Sequence, residues 1–158
     1  MDTRTAFKKE EDSWKHFCVL LWLDDERDPF SEQYEELVLA KCPMNVTPKP
    51  IWVKNFEQFK FFADKYVKYG SFEAVCFDND LGEEKEGYDC AKYLVEICMD
   101  ADVDVPPFES QSMNGPANEN IMALLTNYHK FYMESHDSNS KESGEDNNSM
   151  ATQETTGG

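Results

Sequence analysis

Cys18-Val19-Leu20-Leu21-Trp22-Leu23-Asp24-Asp25-Glu26-Arg27 is the stretch that decides the fold: six apolar residues without interruption, ended abruptly by charge. A run this short, bounded by acids, fits a strand buried on both faces. Ala74-Val75-Cys76-Phe77 repeats the pattern, and acids follow again in Asp78-Asn79-Asp80-Leu81-Gly82. Ile51-Trp52-Val53 is a shorter strand candidate, and a stretch around Phe108 to Ser112, entered through Pro106-Pro107, is a fourth.

Helical periods fill the intervals. Phe56, Phe59, Phe62 and Tyr66 share one stripe, with Asn55 as N-cap, Gln58 three residues on and Gly70 as the stop. Of Phe56, Phe59, Phe61 and Phe62, helical spacing assigns three to core packing rather than to a base-stacking surface. Tyr88, Ala91, Leu94, Val95 and Cys98 form a second stripe. A third holds Ile121, Leu124, Leu125, Tyr128 and Phe131 after Gly115-Pro116, with Asn118 or Gly115 as its cap. A short fourth helix runs from Ser31 through Tyr34, Leu37 and Val38. Alternating strands and helices predict an α/β domain with an open, doubly wound parallel sheet of about four strands and flanking helices. Its ligands belong outside the carboxyl ends of the strands, where the winding reverses.

The chain's 158 residues suit one core. Residues 1–16 read as a polar lead-in, 17–133 as the domain, and 134–158 as a disordered acidic tail with six acids against one lysine. No apolar run reaches the ~18 residues needed for a membrane span, and a cytoplasmic location is expected. Cys18, Cys42, Cys76, Cys90 and Cys98 lack paired spacing, so reduced thiols are expected, with Cys76 and Cys90 as small apolar fillers. His16, His129 and His136 show no zinc-ligand spacing. With 32 acidic and 15 basic side chains the formal net charge is −17, which argues against a duplex-DNA grip through phosphate neutralisation.

If the two acid-ended strands are neighbours, Asp24, Asp25, Asp78 and Asp80 converge. Carboxylates at such spacing either retain protons or bind a cation, and all-oxygen ligation favours Mg²⁺. Acids after strands also serve simply as loop residues or helix caps. Ser110-Gln111-Ser112-Met113-Asn114 leads into the last helix, where free amides favour an anion, although Ser and Asn there also serve as plain caps. Arg27 is the cation beside the acids, suited to an ion pair or to a bidentate phosphate clamp.

Leu21-Trp22-Leu23-Asp24-Asp25-Glu26-Arg27-Asp28-Pro29, Phe77 to Gly82, Glu86 to Glu96, and Gln111-Ser112-Met113-Asn114 with Asn120-Ile121 together resemble the cyclic-phosphate processing receiver domains, many of them phage-encoded. The resemblance runs from about Val19 to Tyr132. It implies a receiver-like, flavodoxin-like fold turned toward phosphoester chemistry on cyclic phosphates, such as RNA 2′,3′-cyclic ends. It also implies Asp24, Asp25 and Asp78 as ligands of Mg²⁺ or Mn²⁺, with Asp78 at the phosphoryl-acceptor position. Asp78, Asp80, Ser112 and Asn114 become the catalytic set, and Arg27 and Asn120 the ligand-binding residues.

Three departures accompany it. The lysine that receivers carry after a fifth strand has no counterpart, which weakens a phosphorelay role. Asn79 and Gln111 stand where the family usually has His, removing the obvious proton shuttle. Gly115-Pro116-Ala117 replaces a Pro-x-Gly. The expected function is a metal-dependent phosphoesterase acting on a phosphate-containing small molecule or an RNA end. The alternative is a non-catalytic module that binds a cyclic nucleotide or a phosphorylated partner, as in phage counter-defence. No membrane partner is expected.

Overall fold

A computed structural model describes residues 17–112 and 114–145, with side chains through Asp137. Strand β1 (Phe17–Leu23) leads through a 3₁₀ turn (Glu32–Tyr34) to helix α1 (Glu35–Lys41) and strand β2 (Thr47–Val53). Helix α2 (Phe56–Tyr69), strand β3 (Ala74–Phe77), helix α3 (Gly87–Ala101), strand β4 (Phe108–Ser110) and helix α4 (Gly115–Glu145) follow. The four strands are parallel in the order β2-β1-β3-β4, the receiver-like, flavodoxin-type α/β arrangement that the sequence implies. Two compact units divide the chain after Leu125. In the second, the rings of Tyr132 and His136 stack with centroids 3.9 Å apart.

In the first unit the sheet is covered on both faces. On one face Cys18, Leu20, Trp22, Ala74 and Cys76 pack with Val38 of α1. On the other, Phe59 of α2 meets Phe77 of β3 at 5.5 Å between centroids, and Phe56 meets Tyr93 of α3 edge-on at 5.8 Å. Phe59 is buried, Phe56 and Phe62 half-buried, and Phe61 exposed, matching the three-of-four reading. In α3 the buried stripe is Cys90, Ala91, Leu94, Val95 and Cys98, while Tyr88 at its start is exposed.

Local chemistry sets the helix ends. The Asn55 side chain accepts from the Gln58 amide at 2.9 Å, and Gly70 closes α2 in the left-handed conformation at φ 64°. Asn114 caps α4, accepting from the Ala117 amide at 3.2 Å; this replaces the expected cap at Asn118 or Gly115. The Asn118 side chain instead ties down the strand end: it receives the Ser110 hydroxyl and the Ser112 amide and donates to the Ser112 carbonyl. A carboxamide with a donor and two acceptor lone pairs satisfies this loop where a cap would satisfy only amides.

Strand β2 starts four residues before the expected Ile51, at Thr47. Val53 O accepts from Asp24 N, so the odd-numbered residues of β2 face β1 and Pro48 and Pro50 point to the open edge. Prolines on that side lose no ladder bond, and they conceal the strand from a sequence reading. Helix α4 runs past Met133 to Glu145, into the stretch expected as acidic tail. Residues 1–16 and 146–158, the expected lead-in and the rest of that tail, lie outside the described residues. Among the described residues no helix is long and apolar enough to cross a membrane. All five cysteines are free thiols; Cys18, Cys76, Cys90 and Cys98 are buried, and burial pushes their thiols up, Cys18 and Cys98 to about 12.

Candidate functional site

Strands β1 and β3 are neighbours, and β2 lies on the far side of β1, so the winding reverses between them. Asp24 follows the last residue of β1 and Asp78 the last of β3; the Asp78 amide donates to Leu23 O at 3.0 Å, continuing the ladder one residue beyond the strands. The two acid loops therefore leave the same edge at the switch point. Asp24, Asp25 and Asp78 each place a carboxylate oxygen within 4.8 Å of the others. Together with Glu26, Arg27, Asp80 and Gly82 they line a cleft of about 350 Å³.

The three aspartates do different work. Asp24 is 1% exposed and fully engaged. Its Oδ1 accepts from the Glu26 and Arg27 amides at 2.9 and 2.8 Å, and its Oδ2 from Arg27 Nη1 at 3.1 Å and Gln111 Nε2 at 2.6 Å. Four donors on one carboxylate fix it as the organiser of the loop. Asp25 and Asp78 are the acids whose oxygens face the cleft with few protein donors. Burial pushes the Asp78 carboxyl up to about 7; Asp24, Asp25 and Asp80 add to this and Arg27 opposes it. Asp25 is raised as well, by its partial burial first and then by its acidic neighbours.

Hard carboxylate oxygens crowded around one guanidinium suit a small divalent cation, which would offset the repulsion that adds to the effect of burial on Asp78. Receiver domains commonly bind Mg²⁺ through such a cluster. Asp24, Asp25 and Asp78 are the carboxylates that would hold the ion.

Two tryptophans anchor this loop, a role the sequence reading does not assign. Trp22 and Trp52 are paired in register across β1 and β2. Trp22 Nε1 donates to Arg27 O at 2.9 Å and Trp52 Nε1 to Asp24 O at 2.7 Å. Indole donors beside a charged loop are the available signal, since a buried indole N–H takes a partner. Two glycines shape the other loop. A Cβ on Gly87 would lie 2.0 Å from Asp78 O, so the first turn of α3 rests directly on the Asp78 backbone. Gly82 has φ 68° and would bring a Cβ 3.2 Å from Asp25 Oδ2.

Asn79 and Gln111, at the two positions where the family usually carries His, are both buried and hydrogen-bonded within the fold. Asn79 Oδ1 accepts from the Tyr88 amide at 3.1 Å, and Asn79 O from the Gly87 amide at 2.8 Å. Gln111 holds Asp24 through Nε2, and its Oε1 has no partner among the described residues.

Of the remaining site residues, Asp80 is exposed on the cleft rim. Ser112 is buried, its Oγ accepting from the Asn114 amide at 3.1 Å, and Asn114 is occupied as helix cap. Asn120 is exposed on α4 and does not line the cleft. The structure thus gathers Asp24, Asp25, Arg27, Asp78 and Asp80 into the cleft lining, whereas Ser112, Asn114 and Asn120 do not line it.

The family model described as the cyclic-phosphate processing receiver domain matches residues 19–127. No curated protein and no solved structure matches the chain.

Proposed function

The chain belongs to the cyclic-phosphate processing receiver family, and from that premise we propose that its acidic cleft is a metal-dependent phosphoesterase site for cyclic phosphates, such as RNA 2′,3′-cyclic ends or cyclic nucleotides. The observation that carries this reading is the meeting of Asp24, Asp25 and Asp78 within 4.8 Å beside the Arg27 guanidinium. When bound, Mg²⁺ or Mn²⁺ supplies the positive charge that lets a phosphate enter so acidic a cleft.

The protein's own groups divide the rest. Asp24 holds the Arg27 backbone and guanidinium, so the side chain is aimed at the cleft it lines, where its unused N–H groups can take a phosphate oxygen. With Asp78 among the carboxylates that would hold the ion, exposed Asp80 on the cleft rim is the acid left to take a proton from an attacking water and return it to the departing alkoxide. Water's oxygen then joins phosphorus as one ribose P–O bond breaks, leaving a phosphomonoester.

The test is product formation. A 2′,3′-cyclic nucleotide incubated with the protein and Mg²⁺ is expected to open to a monoester, and Asp78→Asn to abolish turnover. A second reading, a module that binds such a ligand without turnover, draws on the amides at Asn79 and Gln111, which leave no imidazole in either loop. Saturable binding of the cyclic nucleotide with no product would favour it. The absence of both binding and product would remove cyclic phosphates as ligands of this cleft.

A further inference from the structure

A second concavity, about 510 Å³, opens between α1 and the edge strand β2. Its apolar surface comes from Pro29, Phe30, Val38, Leu39, Pro48 and Pro50, with Phe30 68% and Leu39 59% exposed. Phe30 and Leu39 thus flank one groove with large apolar side chains still open to water, surface that an apolar anchor of a partner would bury. Its charged groups are one-sided: Glu32 and Glu35 stand in the lining beside neutral Ser31 and Thr47, with no Lys or Arg among the lining residues. The open edge of β2 adds to this. Pro48 and Pro50 turn outward, so this stretch of edge offers carbonyl acceptors and no N–H donor.

We propose that this groove docks a basic, apolar-anchored peptide segment of a partner protein, its Arg or Lys side chains meeting Glu32, Glu35 and the proline carbonyls. Strand addition, a polyanion and a second copy each meet a specific obstacle. Strand addition needs donors that prolines 48 and 50 lack. Nucleic acid and anionic lipid carry the same sign of charge as the rim. A second copy of a chain with net charge −17 brings further repulsion. The groove lies apart from the acidic cleft, whose lining shares none of its residues, so the proposal stands independently of the chemistry there.

The test titrates the full chain with a synthetic peptide of alternating leucine and arginine, and with a control carrying glutamate for arginine, followed by amide NMR. The expected result is saturable shifts centred on Phe30, Leu39 and Thr47 with the arginine peptide alone. Affinity should fall about tenfold or more in Leu39→Asp and in Glu32→Lys/Glu35→Lys, on exposed positions whose replacement leaves the remaining spectrum unchanged. Charge reversal at exposed Glu57 and Glu96, outside the groove, should have little effect. Shifts spread over the whole acidic surface, equal losses in the two charge-reversed proteins, or no response at the groove would each overturn the proposal. Self-association that consumes the groove without peptide would also overturn it.

Discussion

Gln111 and Asp24 stand 87 positions apart in the chain and 2.6 Å apart in the fold, Nε2 of the first donating to Oδ2 of the second. This bond carries β4 to the end of β1 across the intervening β3, and it is the fourth donor on a carboxylate that is 1% exposed. Removing it leaves a buried charge short of a partner. Gln111→Leu is expected to lower stability by about 1–3 kcal/mol in denaturant titrations. Gln111→Glu should do worse at pH 8 than at pH 5, because it sets a second carboxyl against Asp24; equal losses at the two pH values would argue against direct contact.

Asp78 gives the fold a pH dependence of unusual sign. Its carboxyl is raised to about 7 in the folded chain from the ordinary 3.8, so between those values the folded state binds the proton more tightly than the unfolded one. Stability contributed by this group is therefore complete below about pH 4 and is lost as pH rises toward 7. Asp78→Asn should flatten that slope and raise stability at pH 8 by about 1–2 kcal/mol, the cleft's access to water holding the effect down. Thermal melts from pH 4 to 8 check it, and a parent slope retained in the variant would assign the titration elsewhere.

Divalent ions should reverse that effect. Mg²⁺ at millimolar concentration is expected to raise the parent's melting midpoint at pH 8, since an ion bound only by the folded state stabilises it by mass action. Asp25→Asn and Asp78→Asn should each lose the response. A shift that survives both substitutions would place the ion outside the cleft.

Gly87 sets the spacing between α3 and the Asp78 loop. Gly87→Ala forces a Cβ to within 2.0 Å of Asp78 O, against backbone that a rotamer change cannot move. The expected penalty is about 1–3 kcal/mol or more, together with loss of the Mg²⁺ response. Calorimetry on the variant with and without the ion separates the two effects.

Trp52→Phe tests the anchoring of the acid loop. The ring volume is largely kept while the donor to Asp24 O disappears, at a cost of about 1–3 kcal/mol for a carbonyl left unpaired. Ion affinity should fall with it. Unchanged affinity would mean that the Asp24 side-chain bonds alone hold the loop.

Much of this architecture is legible in the chain. Residues 18–23 and 74–77 announce buried strands because no polar side chain interrupts them, and acids at both ends foretell a charged edge. Asn55 and Gly70 mark α2 because their chemistry is local. What escapes is decided across the fold. Pro48 and Pro50 argue against a strand until an open edge is known to face them. Asn118 reads as a cap, yet its carboxamide is drawn to Ser110 and Ser112. Four Asp residues look equivalent in sequence. Only the placement of Arg27, Gln111 and two loop amides makes Asp24 the organiser and leaves Asp78 crowded and proton-retaining.

The paired indoles at Trp22 and Trp52 have a practical corollary. Each shares its N–H with a carbonyl of the loop that carries the acids, so movement of that loop alters the surroundings of both chromophores at once. Ultraviolet emission then becomes a label-free gauge of cleft occupancy, with Trp14 as the sole further emitter of its kind. A titration can be read from the protein's own light without a dye or tag.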